Sequence, residues 1–465
     1  MTWAPKIIPP WSTTDLEGLL TDALKVLSEI GVECVHLGAR SRLAQWGEVS
    51  FVGDRVCFSK QSVRDHLEAR RIKAVEPPDE ATAPFSLHGC YAAPNYCDPE
   101  TGEVRPASSD ESALMARFWD ARGNSGVVPL VPGDVPPGMV TLAAERIALV
   151  NSRDLGGGLT VMDPEEIRFL TDMNLAAGRR FRLTEQIGIS PLRFNEIGLD
   201  SALAFADDPD LDVKINGFIP MAGATCPLDP RSAVVQSVAE TIAFDVLCAA
   251  MSFPGNLITR TEPFDFQYAS IVFGSAEWCL YRVLTMQMSE YLTVLPVRNG
   301  RFRSMAKRPD AQASCERTAS VLWQALLGAR SFGAVGQLSI DEVFSPQQAV
   351  LDKEILGYVE RVMGGIPLNE PIDPVNLIRE GVEEGSFAGV DDTVSRFRDL
   401  CYFPDIFRHW TVARWRSEGS QSILAQAWDI ARKEIELSDH ELSHDALSDV
   451  DRVYAKAEEW SRNRC

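Results

Sequence analysis

Apolar side chains recur at helical spacing through residues 15–30, where Leu16, Leu19, Leu20, Ala23, Leu24, Leu27 and Ile30 line one face before Gly31 ends the run. Val49 and Phe51 alternate before Gly53-Asp54, and Val56 and Phe58 alternate after it, so a short hairpin is expected, then a helix over 61–70. A Pro-rich piece at 76–84 reads as a linker, and the irregular stretch 88–106 leads onward. The pattern thus sets a mostly helical lead-in at 1–84.

A second regime follows. Strand-like runs at 127–131, 158–162, 186–190, 213–219, 256–260, 293–297 and 331–335 are each followed by a helical pattern, such as 231–252, 276–291 and 311–327. Parallel strands need a crossover helix, and this spacing suits repeated βα units. A doubly wound sheet would place a Gly-rich turn after its first strand, whereas Gly156-Gly157-Gly158 comes before one. An α/β (β/α)8 TIM-type barrel over 85–370 fits better, with its eighth strand expected near 364–368. A helical extension over 371–465 completes the chain, its Trp410 to Trp460 expected to pack on the barrel.

Composition narrows the class. With 66 acidic and 45 basic residues the net charge is -21, which disfavours nucleic acid and anionic membranes as partners. Neither a membrane span nor a signal peptide is expected, and a cytoplasmic protein is. The ten cysteines are scattered, as buried hydrophobes would be. His88, Cys90 and Cys97 lack a fourth ligand, so no metal is expected there.

Barrel sites lie in the loops after the strands. No histidine occurs between His88 and His409, which argues against Ser-His-Asp hydrolysis and a His-bound zinc. Asp163, Glu262 and Asp265 fall in such loops, and a pair of them could serve acid and base on a glycosidic bond, although Asp163 before Pro164 also reads as a helix cap. Phe264, Phe266, Tyr268 and Phe218 could cage a quaternary ammonium or form a hydrophobic lid. Arg298 follows the run 293–297 and is the best held residue of the basic loop 298–308, suited to a carboxylate; Arg301, Arg303, Lys307 and Arg308 could steer an acidic partner. The small-residue stretch from Asn216 to Pro227 leaves room for a ligand against the backbone, before Asp229-Pro230 opens a helix.

Pro-Met-Ala-Gly-Ala-Thr-x-Pro at 220–227, Pro-Asp-Ala-Gln-Ala at 309–313 and Val-Leu-Asp-Lys-Glu-Ile at 350–355 resemble signatures of the trimethylamine methyltransferase family. Leu27 to Val32, Asp98 to Glu103 and Arg105-Pro106-Ala107 extend the resemblance over most of the chain. It implies the same barrel, and transfer of a methyl group from a quaternary amine to the cobalt of a corrinoid (cobalamin) carried by a separate corrinoid-binding protein, with no cofactor held tightly by this chain. Where some relatives carry pyrrolysine this chain reads Gly-Ala-Val-Gly-Gln-Leu at 333–338, so the resemblance is to the branch without it, and a glycine betaine-like substrate is expected. The substrate-binding residues so expected are Arg298, Phe218, Glu262, Phe264, Tyr268, Asn216, Gln312 and Gln337. Histidines usual near 333 and 385–398 are missing, which keeps two alternatives open: a barrel that binds a betaine-like ligand without turnover, and a carboxylate-based hydrolase. A homo-oligomer is compatible with either.

Overall fold

The computed structural model describes residues 2–464 apart from 4, 8, 73–83, 90, 162 and 369–371. Most of the expected linker at 76–84 and Cys90 therefore lie outside the described residues. The fold is mixed α/β, with small sheets, none of them closed.

The lead-in forms as its pattern requires. Ser12 and Asp15 make a reciprocal capping box at the start of helix Thr13–Lys25, which buries Leu16, Leu19, Leu20, Ala23 and Leu24. The hairpin Val49–Val52 with Arg55–Phe58 and the helix Lys60–Ile72 follow. These elements share one hydrophobic cluster with the helix Pro230–Met251. That helix is long and apolar enough to cross a membrane by length and composition, but 72% of its apolar window is buried inside the protein. It is apolar all round because neighbours cover most of its surface. Its Asp245 holds His66 at 2.8 Å and Arg70 at 3.1 Å.

Parallel pairing dominates the middle of the chain. Phe181–Gln186 runs beside Leu211–Asn216 over six residues. Ser331–Gly333 lies between Asn299–Arg301 and Ser86–Leu87, parallel to both. Single parallel bridges join Ala93 to Leu130 and Gly126 to Leu155.

Several expected strands move. Of the run at 186–190, only Gln186 belongs to the parallel strand Phe181–Gln186, while Gly188–Ile189 pairs antiparallel with Arg193–Phe194; 256–260 carries no ladder. Residues 127–131 and 158–162 form no named strand; the former contributes one bridge, and Met162 is not described. Thr293 ends the helix Ala276–Thr293, its hydroxyl bonded back to Ser289, and Val294 follows in the left-handed region at φ 54°. Pro296 has no N–H for a ladder, so the strand begins only at Asn299. The stretch 364–368 is not a parallel strand: Ile366–Pro367 pairs antiparallel with Thr2–Trp3, and Ser86–Leu87 takes the place beside Ser331–Gly333.

The C-terminal helices dock in two places. Ile423–Glu436 packs on Ser109–Ala121 and Pro346–Met363, and His444–Arg462 on Val140–Asn151 and Pro164–Ala176. Trp460 meets Phe169 at 5.6 Å between ring centroids. Trp415, by contrast, is largely exposed.

Candidate functional site

Side chains two apart on an extended chain share a face. Arg260 and Glu262 are so related, as are Arg301 and Arg303, and all four reach into a cavity of about 390 Å³. Arg282 and Arg298 complete its charged lining, with His88 beside them. A second cavity of about 410 Å³ shares Ile258, Arg260, Arg301 and Arg303 with the first and adds Tyr91, Asn216, Phe218, Phe244, Phe273 and Asp341. The two chambers adjoin along these shared residues.

The strand Asn299–Arg301 is seated by close backbone approach. A Cβ on Gly300 would lie 2.6 Å from the Phe332 ring, so only glycine allows this register. Phe302 N–H then donates to Gly333 O at 2.9 Å, carrying the alignment past Arg301 to Arg303. Arg303 donates from Nη1 to both oxygens of Asp341, at 2.8 and 2.6 Å. Its guanidinium lies 3.9 Å from the Phe273 centroid and 5.8 Å from that of Tyr91, while Arg301 is 5.1 Å from Tyr91. Arg282, from the helix Ala276–Thr293, lies 5.6 Å from the Trp278 ring.

The electrostatics are unusual. Among the described residues, the guanidiniums of Arg260, Arg282 and Arg301 have no hydrogen bond or ion pair, and Arg282 Nε is buried without a partner. Burial pushes Arg282 down to about 10, against the opposing pull of Glu262. It pushes Arg301 down to about 10 as well and lowers Arg260. Arg260 and Arg301 are half-buried and line the cavity. Burial is the largest influence on Arg303 and lowers it, but Asp341, Tyr91 and Glu262 together raise it. Glu262 is buried, and its Oε2 has no partner. Burial and then Arg301 hold His88 below its ordinary value, so its ring stays neutral, 2.9 Å from the Ser331 hydroxyl.

Of the expected binding residues, Glu262, Arg298, Asn216 and Phe218 line the joined cavities. Arg298 does so from the opposite end to that expected: it precedes its strand and donates to Gly328 O at 3.2 Å, so Arg301 holds the strand-end position. Phe264 and Tyr268 sit on the hairpin Glu262–Asp265 with Ser270–Ile271 and do not line either cavity. Phe264 packs edge-on against Phe266 at 5.3 Å, and Tyr268 is exposed. Gln312 is an exposed residue of the helix Ala311–Leu326 that donates to Glu316 at 2.9 Å. Gln337 is buried and donates to the Tyr91 carbonyl, so it supports the cavity wall from behind.

Other expectations change with the geometry. Asp163 caps the helix Pro164–Ala176 and pairs with Arg464. Asp265 closes a turn by accepting from the N–H groups of Gln267 and Tyr268, so neither carboxylate is free to pair with Glu262 in catalysis. Arg301 and Arg303 face inward, and only Lys307 and Arg308 of that loop are exposed for steering a partner. Of the small-residue stretch 216–227, residues 216–219 line the second cavity and 220–227 border neither. Its Gly223, at φ 87°, instead makes room for Phe266, whose ring would lie 2.3 Å from a Cβ there. His88, Tyr91, Arg260 and Arg282 were not anticipated. The available signal was the two-residue spacing of charged side chains, Arg260 with Glu262 and Arg301 with Arg303.

The family described as trimethylamine methyltransferase (MTTB) matches the chain over residues 6–452. The chain is 27% identical over 242 residues to trimethylamine methyltransferase MttB of Methanosarcina thermophila, covering 51% of this chain and 49% of that protein. It is 28% identical over 254 residues to the protein of the same name from Methanosarcina barkeri, covering 52% and 49%. With that of Desulfitobacterium hafniense the identity is 23% over 346 residues, covering 72% and 69%. The chain thus spans about half the length of the Methanosarcina relatives it matches. A solved structure of HydG, a hydrogenase maturase, aligns over 96% of both chains at 11% identity and a TM-score of 0.34, too low to carry any argument.

Proposed function

Because the chain belongs to the trimethylamine methyltransferase family, we propose that it is a methyltransferase built as a (β/α)8 barrel, moving a methyl group from a glycine betaine-like quaternary amine to the cobalt of a corrinoid on a separate protein. The order of parallel contacts supports the barrel. Segments at 86–89 and 91–93, at 126–130, at Leu155, and at 181–186, 211–216, 256–260, 299–301 and 331–333 follow one another along the chain, and the last pairs with the first. Asn216, Arg260 and Arg301 then fall at the C-terminal ends of their segments, where barrel sites lie.

The observation that carries the substrate reading is the set of guanidiniums without partners in the cavity, Arg260, Arg282 and Arg301. A carboxylate entering from water loses its hydration and needs such forks in return. The ammonium of the same molecule can meet the faces of Phe218, Phe244 and Phe273 and the free oxygen of Glu262. When the methyl carbon leaves, the C–N bonding pair stays on a neutral amine, which needs no proton. A neutral His88 agrees with that chemistry.

A docked flat macrocycle would meet exposed apolar side chains at Ile219, which lines the second cavity, and at Leu228, Phe266 and Tyr268 in the segments that follow. A docked corrinoid supplies the cobalt that accepts the methyl group. This chain's part is to orient the methyl carbon outward and keep its nitrogen end held. The eight described cysteines are free thiols, which supports a reducing, cytoplasmic setting. Incubating the protein with glycine betaine and reduced corrinoid and detecting the demethylated amine by mass spectrometry tests the reading; no demethylated product from any methylated acid would oppose it.

A further inference from the structure

A betaine leaves the charge of this cavity unbalanced. Five guanidiniums, Arg260, Arg282, Arg298, Arg301 and Arg303, line the joined chambers against two carboxylates, Glu262 and Asp341. Asp341 already binds Arg303 through both oxygens. Four cations, Arg298 among them, then face one carboxylate, inside a protein of net charge -21. Desolvated charges without counterions are strongly disfavoured, so the site is built around charge that its ligand brings. A zwitterion such as glycine betaine brings no net charge.

We infer that the substrate is a net anion: a methylated amine carrying two acidic groups, as carboxylates or as a phosphate ester. The placement of the arginines agrees. Arg282 borders one chamber only, whereas Arg260 and Arg301 border both, so two acidic groups spread along the space each meet a guanidinium. The second chamber adds the Asn216 side chain and the rings that can receive the methylated end. The methyl group in this statement rests on the function proposed above; the negative charge rests on the cavity alone.

Calorimetry on the full chain with choline, glycine betaine, N,N,N-trimethylaspartate, phosphocholine and succinate tests it. The inference expects trimethylaspartate or phosphocholine to bind at least about tenfold tighter than glycine betaine, choline weakest, and succinate to bind without any ammonium, in line with strong charge-assisted recognition. Preference between the first two separates dicarboxylate from phosphate. Arg282→Gln should narrow the gap between diacid and glycine betaine, with Arg301→Gln as a second variant should the first fold poorly. Glycine betaine binding as tightly as the diacids would overturn the inference and leave methyl transfer standing. Succinate binding with no methyl transfer from any compound would do the reverse.

Discussion

Arg317 and Asp352 form an ion pair with neither side chain exposed, Nε to Oδ1 at 2.6 Å and Nη2 to Oδ2 as the second contact. The pair does more than neutralise itself. Arg317 also donates to the carbonyls of Ala334 and Gln337, and Asp352 accepts from Gly336 N–H at 2.7 Å and Gln348 at 2.9 Å. Residues 334–337 are thereby pinned, and Gln337 in turn fixes Tyr91 at the cavity. Asp352→Ala should cost about 3–5 kcal/mol, the range for stranding one partner of a buried pair. Urea unfolding checks this, and a loss below about 1 kcal/mol, as for a surface pair, would contradict it.

Arg301 is expected to read the acidic end of the substrate. Arg301→Ala should weaken carboxylate-bearing ligands by about 2–4 kcal/mol, as for a desolvated hydrogen-bonded charge, and Arg301→Lys should recover only part because the planar fork is lost. Choline should respond little. Arg298→Ala should weaken the same ligands far less, since Arg298 sits at the other end of the strand. Titrations of each variant with glycine betaine and choline decide the matter, and equal losses for both ligands would reduce Arg301 to a structural part.

Burial raises Glu240 from 4.5 to about 7, although Leu192 N–H, the Ser190 hydroxyl and the Gln236 amide all favour its charged form. A carboxyl whose folded pKa lies above its unfolded value stabilises fully below the unfolded pKa and loses that contribution as pH rises through the folded one. Stability from this group should therefore fall by ~3 kcal/mol between pH 4.5 and just above 7. Glu240→Gln should flatten that part of the curve of melting temperature against pH. An unchanged slope would mean that Glu240 is ionised in the folded protein at acid pH.

Gly223→Ala should destabilise by two routes, a left-handed backbone and contact with the Phe266 ring. The backbone alone costs roughly 1–2 kcal/mol. Adding Phe266→Ala frees the space, so in a double-mutant cycle the pair should lose less than the sum of the single changes. Strict additivity would show that the ring moves aside without cost.

How much of this was legible in the sequence depends on what each element had to bury. The lead-in helix announced itself because Leu16 to Leu27 face one apolar cluster. The strand Phe181–Gln186 was harder to see because its buried face holds Glu185 beside Phe181 and Leu183, which breaks the apolar alternation. Thr293 and Val294 looked like strand because β-branched residues favour it, yet they end a helix. Ser86–Leu87 is too short for any period, so His88 was weighed only as a metal ligand and not as part of a cavity wall. The basic loop 298–308 pointed to Arg298 for a carboxylate and to Arg301 and Arg303 for a partner, since charge on an inward face is uncommon and only the fold reveals it.

The most direct measurement is the absorption of free cob(I)alamin mixed with the protein and a methylated acid. The account predicts that the cob(I)alamin spectrum decays as methyl transfer proceeds with glycine betaine or the diacid betaines, and decays more slowly with Arg301→Ala. An unchanged spectrum across the whole panel, under conditions in which calorimetry shows the same ligands bound, would contradict the proposed methyltransferase and leave a protein that binds methylated acids without acting on them.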